Sequence, residues 1–386
     1  MNGHSTSRLV FVSAAEASAD MHGAALIRAT HKLAPDVRFV GVAGPRMVEA
    51  GCDAIYDMTR HAAMLLGAVA NVGRACRMMA LADECLRRYA FSAAVVIDSP
   101  TLHLPLAGRI NALSVPVLYY IAPQMWAWGA HRIYKLRHRV QQVAVILPFE
   151  EKYFRDQGVN ATYVGHPLVD RLGTSCADAE QVKAIRGRGE PVLALLPGSR
   201  AHVVEALLPG QLEVARAVCG EFPSAYIGVS AAREPLAARI ARAVQRAGVS
   251  TQIVRGDYSC LVEAADLVLV ASGTAALEVA FFAKPMIVMY QASRAFYHLL
   301  GRWMIHAPFL SLPNILAQRE VVPEFMPYYR STAPIAEKAL ELLKSAALRE
   351  KMIQELAALT EPLRGTKASE RTAKLLLEMM DRKRGQ

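Results

Sequence analysis

The chain has 386 residues, too many for one ordinary core, and with 53% of them hydrophobic and 20% charged it is a globular chain rather than a disordered one. Lysine and arginine number 44 against 34 acids, a net +10 that either favours anionic partners (nucleotides, phosphorylated lipids, acidic membrane, nucleic acid) or serves solubility alone. No stretch of about 18 consecutive apolar residues occurs, so no membrane-spanning helix is expected. Cys52, Cys76, Cys85, Cys176, Cys219 and Cys260 form no CxxC pair or zinc spacing, so they are expected as buried thiols in a reducing cytoplasm.

Taken in chain order, RLVFVS (8–13) reads as a strand and 20–33 as a helix. The turn between them, SAAEASADMHGA, carries Glu16, Ser18 and Asp20, with alanines where glycine is usual for close ligand approach. RFVGVAG (38–44), AAVVID (93–98), VPVLYYIA (115–122) and QVAVIL (142–147) continue as strands separated by helical lengths. That alternation predicts βαβ units and a parallel sheet covered on both faces. Residues 61–89 are apolar, with Arg74, Arg77, Arg87, Arg88 and Met64, Met78, Met79. Two readings stand: an interfacial helix on an anionic bilayer, or a core helix with surface arginines.

Asp98 closes a strand ahead of Ser99 and Pro100. It is placed to take a proton from an incoming hydroxyl, or else stabilises the bend as an Asx-turn acid. In 119–139, Trp126 and Trp128 follow Pro123 and Gln124, and Arg132, Lys135, Arg137 and Arg139 come next. Such a stretch could stack on single-stranded nucleic acid, face a sugar or lipid headgroup, or be a solvated face; no nucleic-acid module accompanies it. His166, in GHP (165–167), is expected to be structural.

A polar segment at 171–190 marks the domain boundary, giving a first domain at 1–175 and a second at 186–330. The second repeats the alternation: PVLALLP (191–197), SAYIGVS (224–230), TQIV (251–254), ADLVLVAS (265–272) and PMIVMY (285–290). After its first strand, Gly198, Ser199 and Arg200 make a turn in which glycine admits backbone approach, Ser199 caps the helix, and Arg200 offers a donor fork for a diphosphate. Ser272, Gly273 and Thr274 open a second such turn, and Glu278 lies one helical turn on, placed for ribose hydroxyls or as a solvated acid. Two phosphate-type turns in one domain read as a nucleotide-diphosphate binder. The tail 331–386 is helical, with Ser331 or Thr332 as cap and breaks at Pro362 and Gly365. It packs on the domains, crosses back to the first, or is exchanged in a dimer. The fold class is α/β: two facing doubly wound domains with C-terminal helices.

FVGVAGPRM (39–47), APQMWAW (122–128), LPFE (147–150), GHP (165–167), LLPGSR (195–200), ASGTAALE (271–278) and SLPNILAQREVVPE (311–324), in this order, resemble the lipid-A-disaccharide synthase family. Its members are inverting glycosyltransferases of GT-B type. The resemblance implies transfer of 2,3-diacylglucosamine from UDP to 2,3-diacylglucosamine 1-phosphate, giving a β-1,6 disaccharide and UDP. It implies Asp98 as base, Gly198, Ser199, Arg200, Ser272, Gly273, Thr274 and Glu278 on the donor's UDP, and an acceptor loop set of Glu16, Ser18, Asp20, Gln124, Trp126 and Asn314. It further implies no cofactor or metal beyond the UDP-sugar substrate, peripheral contact with anionic lipid on the cytoplasmic face of the inner membrane, no nucleic acid, and a homodimer. Two alternatives are a GT-B transferase with another acceptor and a non-catalytic UDP-sugar-binding protein at the membrane.

The chain departs from the family pattern in places. Ala15 and Ala19 stand where the family has glycine, Thr101 and His103 where it has Asp and Asn, Pro327 where it has Gln, and Val203 where it has an acid, while Glu205 remains. If the glycine positions need a left-handed backbone, each alanine costs roughly 1 kcal/mol or more; otherwise the change adds two methyl groups.

Overall fold

The computed structural model describes residues 8–58, 68–126, 129–172, 177–232, 234–292 and 308–384. It divides into two compact units, Met1–Arg171 with Gly365–Gln386, and Leu172–Arg364.

The first unit is built on seven strands: β1 Arg8–Ala14, β2 Val37–Val42, β3 Cys52–Tyr56, β4 Ala93–Ile97, β5 Val117–Tyr120, β6 Gln142–Val145 and β7 Ala161–Tyr163. All pair in parallel, in the order β3-β2-β1-β4-β5-β6-β7. The continuous apolar runs of β1 and β4 follow from burial on both faces. Phe11, Ala94 and Val96 enter one core; Val10, Val12, Ala93, Val95 and Ile97 enter the other.

The helix Ala17–Leu33 covers one face together with Ala368–Arg384, whose Ala373, Leu376 and Met380 are fully buried. Asp170 holds that last helix by accepting from the backbone N–H groups of Ala368 and Ser369, both at 2.8 Å. These are N–H groups that a helix start leaves unpaired.

The second unit has β8 Val192–Leu196, β9 Tyr226–Ala231, β10 Gln252–Arg255, β11 Leu267–Ala271, β12 Met286–Met289 and β13 Glu324–Phe325, again all parallel, in the order β10-β9-β8-β11-β12-β13. The helices Ala333–Lys344 and Ala346–Thr360 pack on its single core through Ile335, Ala339, Leu342, Met352 and Leu356. Thr332 is the N-cap of the first of them and makes no side-chain cap bond, while Ser331 just ahead accepts from Ala333 N at 3.1 Å. Gly365 then turns the chain with φ +73°, a value glycine adopts freely.

Several expectations need correction. The first helix begins at Ala17, three residues early, its first turn closed by Asp20 N donating to Glu16 O at 2.9 Å. Cys52 and Cys85 are buried, but Cys76 is exposed on a helix surface, and Cys219 and Cys260 are half-buried; Cys176 lies outside the described residues. The helix Ala68–Arg88 turns Met78, Ala82, Cys85 and Leu86 into the core and leaves Arg77, Arg87 and Arg88 exposed. Residues 61–67 of the proposed interfacial stretch lie outside the described residues. Among the described residues, no helix is long and apolar enough to cross a membrane. Strands β3 and β13 went unread: β3 exposes Asp53 and Ala54 at a sheet edge, and β13 is two residues long.

Candidate active site

In the first unit the chain winds from β1 towards β3 on one side and from β4 towards β7 on the other. Neighbouring β1 and β4 are therefore its switch point, where such sheets take ligands, and Ala14 pairs with Ile97 there. The turns carrying Glu16 and Asp98 thus open side by side.

Glu16 is half-buried and extended at the helix start. Ser18 and Asp20 are not loop residues but sit in the first helical turn, Ser18 exposed and Asp20 buried. Asp20 accepts from Arg46 N at 3.1 Å and Met47 N at 3.0 Å, so its carboxylate caps the helix Pro45–Glu49. Ala15 and Ala19 do not adopt a left-handed backbone. Ala19 is 1% exposed and its methyl packs in the core, so these alanines fill space without backbone strain.

Asp98 and Ser99 do adopt left-handed conformations, with φ of 53° and 47°, which cost energy for residues with a side chain. Their turn is pinned from three directions. Asp98 N donates to Tyr120 O at 3.0 Å. The Asp98 carbonyl accepts from Tyr119 Oη at 2.7 Å and faces His103 Nδ1 at 2.7 Å. Asp98 as a whole is half-buried.

Gln124 is exposed. Trp126 packs edge-to-face on Phe149, centroids 5.1 Å apart, and donates Nε1–H to Glu150 Oε1 at 3.0 Å. Its one polar group therefore anchors its own loop, which removes it as a ligand donor; Trp128 lies outside the described residues. Glu150 also accepts from Ile146 N and Leu147 N, and burial still pushes its carboxyl up to about 7. Arg139 donates to Leu104 O at 3.0 Å, so one member of the basic run serves the fold.

In the second unit the switch point lies between β8 and β11, paired from Leu193–Leu267 to Leu196–Val270. Both glycine turns emerge there. Gly198 has φ +108° and Gly273 φ +134°. A β-carbon on Gly198 would sit 3.6 Å from Ala271 Cβ, which shows how close the turns lie. The helices Ala201–Glu221 and Thr274–Phe281 begin at these turns and direct free N–H groups at the same place.

Arg200, not Ser199, is the capping residue, and no side chain caps either helix; Ser199, Arg200 and Thr274 are exposed and Ser272 half-buried. Glu278 is buried rather than solvated, and accepts from Tyr258 Oη at 2.8 Å. Val203 packs beneath Gly198, and Glu205 pairs with Arg239.

Asn314 does not belong to a substrate set. It is fully buried, donates to Val322 O and Glu324 Oε2, and accepts from Val321 N and Val322 N, all within 2.8–3.0 Å. These four bonds exhaust its amide and hold the 310–324 loop. Among the described residues no group of three or more His, Cys, Asp or Glu side chains could hold a metal ion. Sequence reasoning missed Tyr119, Glu150 and Tyr258, because a single tyrosine or glutamate carries no sign of its distant partner. His103 stood out only as a departure.

Two doubly wound parallel-sheet units, one with paired glycine turns at its switch point, define a glycosyltransferase fold of the GT-B class. Its likeness to solved structures lies in the fold: MurG of Acinetobacter baumannii (12% identity, 96% of this chain and 99% of that one, TM-score 0.58) and UDP-GlcNAc 2-epimerase of Neisseria meningitidis bound to UDP-GlcNAc (12%, 97% and 99%, TM-score 0.59). The sequence model of the family described as lipid-A-disaccharide synthetase matches residues 10–377. A lipid-A-disaccharide synthase of Myxococcus xanthus (strain DK1622) is 34% identical over 377 residues, 96% of this chain and 97% of that protein. The chain belongs to the lipid-A-disaccharide synthetase family and is a glycosyltransferase.

Proposed function

We propose that this chain joins two acylated glucosamines, transferring 2,3-diacylglucosamine from UDP to 2,3-diacylglucosamine 1-phosphate and releasing UDP. Family membership supports the reaction, and the paired turns at the second unit's switch point are the observation that carries the donor side. The acceptor's 6-hydroxyl oxygen attacks the donor's anomeric carbon as the bond to the diphosphate breaks. The bonding pair leaves with UDP, the hydroxyl proton passes to the Asp98 carboxylate, and the anomeric configuration inverts. The N–H groups around Gly198, Ser199, Gly273 and Thr274, with the Ser272 hydroxyl and the Arg200 guanidinium, stabilise the departing charge, the Ser272 N–H being spent on Met289 O. Glu278, steadied by Tyr258, accepts from the ribose hydroxyls. These groups do the work without calling on a resident cofactor or metal.

Glu16, Ser18 and Gln124 border the acceptor. The acyl chains of both substrates place the work at a membrane surface, and the net +10 suits the anionic cytoplasmic face of an inner membrane. A homodimer fits the same reading. The test is incubation of purified protein with UDP-diacylglucosamine and the monosaccharide 1-phosphate in mixed micelles. Disaccharide and UDP should form, and Asp98→Asn should cut turnover at least about 100-fold with UDP affinity intact. UDP binding without product would refute the reading.

A further inference from the structure

His103 is fully buried in the first turn of the helix Pro100–Ala112, at the switch point of the first sheet. Its Nδ1 lies 2.7 Å from the Asp98 carbonyl oxygen and its Nε2 lies 2.9 Å from Ser13 Oγ. A carbonyl can only accept, so Nδ1 carries the ring proton. Burial holds the ring neutral, its pKa lowered to about 4, so Nε2 keeps its lone pair and Ser13 donates to it. Tyr119 fills the carbonyl's other lone pair, and burial holds that hydroxyl protonated as well.

Ser13 is the next-to-last residue of β1, followed by Ala14, Ala15 and Glu16. The imidazole is therefore a strut. One end holds the strained Asp98 turn after β4; the other holds the end of β1 from which the Glu16 turn departs.

We propose that His103 is a positioning residue for transfer, acting as a neutral Nδ1–H ring that sets where Asp98 stands relative to the Glu16 turn. The proposal rests on the reading of Asp98 as base. Left-handed backbone at two successive residues is otherwise unfavourable, and without the imidazole the carbonyl is held by Tyr119 alone, so the turn gains freedom to shift towards ordinary φ, carrying the carboxylate with it. A displacement of about 1 Å at a reacting group costs up to about 100-fold in rate.

Two substitutions separate the ends of the strut. His103→Asn places an amide N–H near the Nδ1 position and keeps the Asp98 bond. His103→Gln places its amide near Nε2, keeps Ser13 and abandons Asp98. The expected result is that His103→Gln lowers kcat at least about tenfold with the donor KM and UDP affinity unchanged, while His103→Asn stays within about threefold of the parent. Equal kcat in the two variants overturns the proposal, as does a kcat loss accompanied by a matching loss of UDP affinity or a collapse of thermal stability.

A second measurement does not depend on turnover. Nitrogen-15 spectra of histidine-labelled protein, with the His103 signals assigned by their loss in His103→Asn, should show the Nδ1–H tautomer. An Nε2–H tautomer overturns the proposal. Failure of the unsubstituted chain to make product would refute the transferase reading instead, and the tautomer spectrum would still decide the Asp98 bond.

Discussion

Replacing Gly273 with alanine isolates the backbone contribution to nucleotide binding. Gly273 has φ 134° and ψ −157°, a region that only glycine occupies readily. A β-carbon built there meets nothing within 4 Å, so the substitution introduces no clash. Its whole effect is the conformational penalty, about 1–3 kcal/mol. That energy is either stored as strain, lowering stability, or relieved by turning the peptide, which re-aims the N–H groups opening the helix Thr274–Phe281. At about 1.4 kcal/mol per decade, relief by turning corresponds to roughly 5–150-fold weaker UDP binding. Calorimetric titration with UDP, paired with thermal unfolding, reads both routes. Gly273→Ala should show the penalty in one measurement or split between the two. Unchanged affinity together with unchanged stability would refute the strain argument.

Arg200→Ala should weaken UDP binding by about 1–2 kcal/mol, less than a buried charge would because the side chain is exposed; calorimetry checks it. Ala19→Gly, which restores the family residue, should destabilise by about 1.5–2 kcal/mol through a lost buried methyl and a helical glycine; denaturant unfolding that shows a gain would contradict this. Asn314→Ala strands two N–H groups and a carbonyl, Glu324 Oε2 keeping its bond from Ser311 N, and should cost about 3–5 kcal/mol in the same assay.

Acid should also weaken the fold. Burial lowers His22 and His103 to about 4 and His166 to about 3, so between those values and 6.5 the unfolded chain binds more protons and stability falls as pH drops. Glu150, raised to about 7, opposes this between 4.5 and 7 by keeping a proton the unfolded chain has lost. The net loss is on the order of 2 kcal/mol per pH unit from about 6.5 to 4.5, and His103→Asn should flatten the midpoint–pH profile.

Much of the site was legible because it depends on short-range patterns. A buried parallel strand is apolar throughout, a turn at positive φ favours glycine, and a helix that follows presents its N–H groups. RLVFVS, LLPGSR and LVLVASGT therefore mark strand, turn and helix, and the structure has its turns at Gly198 and Gly273. What misled was solitary polar residues. Asp20 reads as a loop acid and Asn314 as a substrate contact, yet each spends its bonding capacity on groups further along the chain, 26–27 and 7–10 residues away. Side-chain identity shows capacity for hydrogen bonds but not where they go.

The sequence alone determined the α/β alternation, the family and the positions of the glycine turns, since each is a property of neighbouring residues. Only the tertiary structure decided that Ala15 and Ala19 are unstrained, that Trp126 is tied to Glu150, and that His103 spans from Asp98 to Ser13. Those outcomes depend on strand order, which brings β1 beside β4 and places residues 90 apart in sequence at hydrogen-bonding distance.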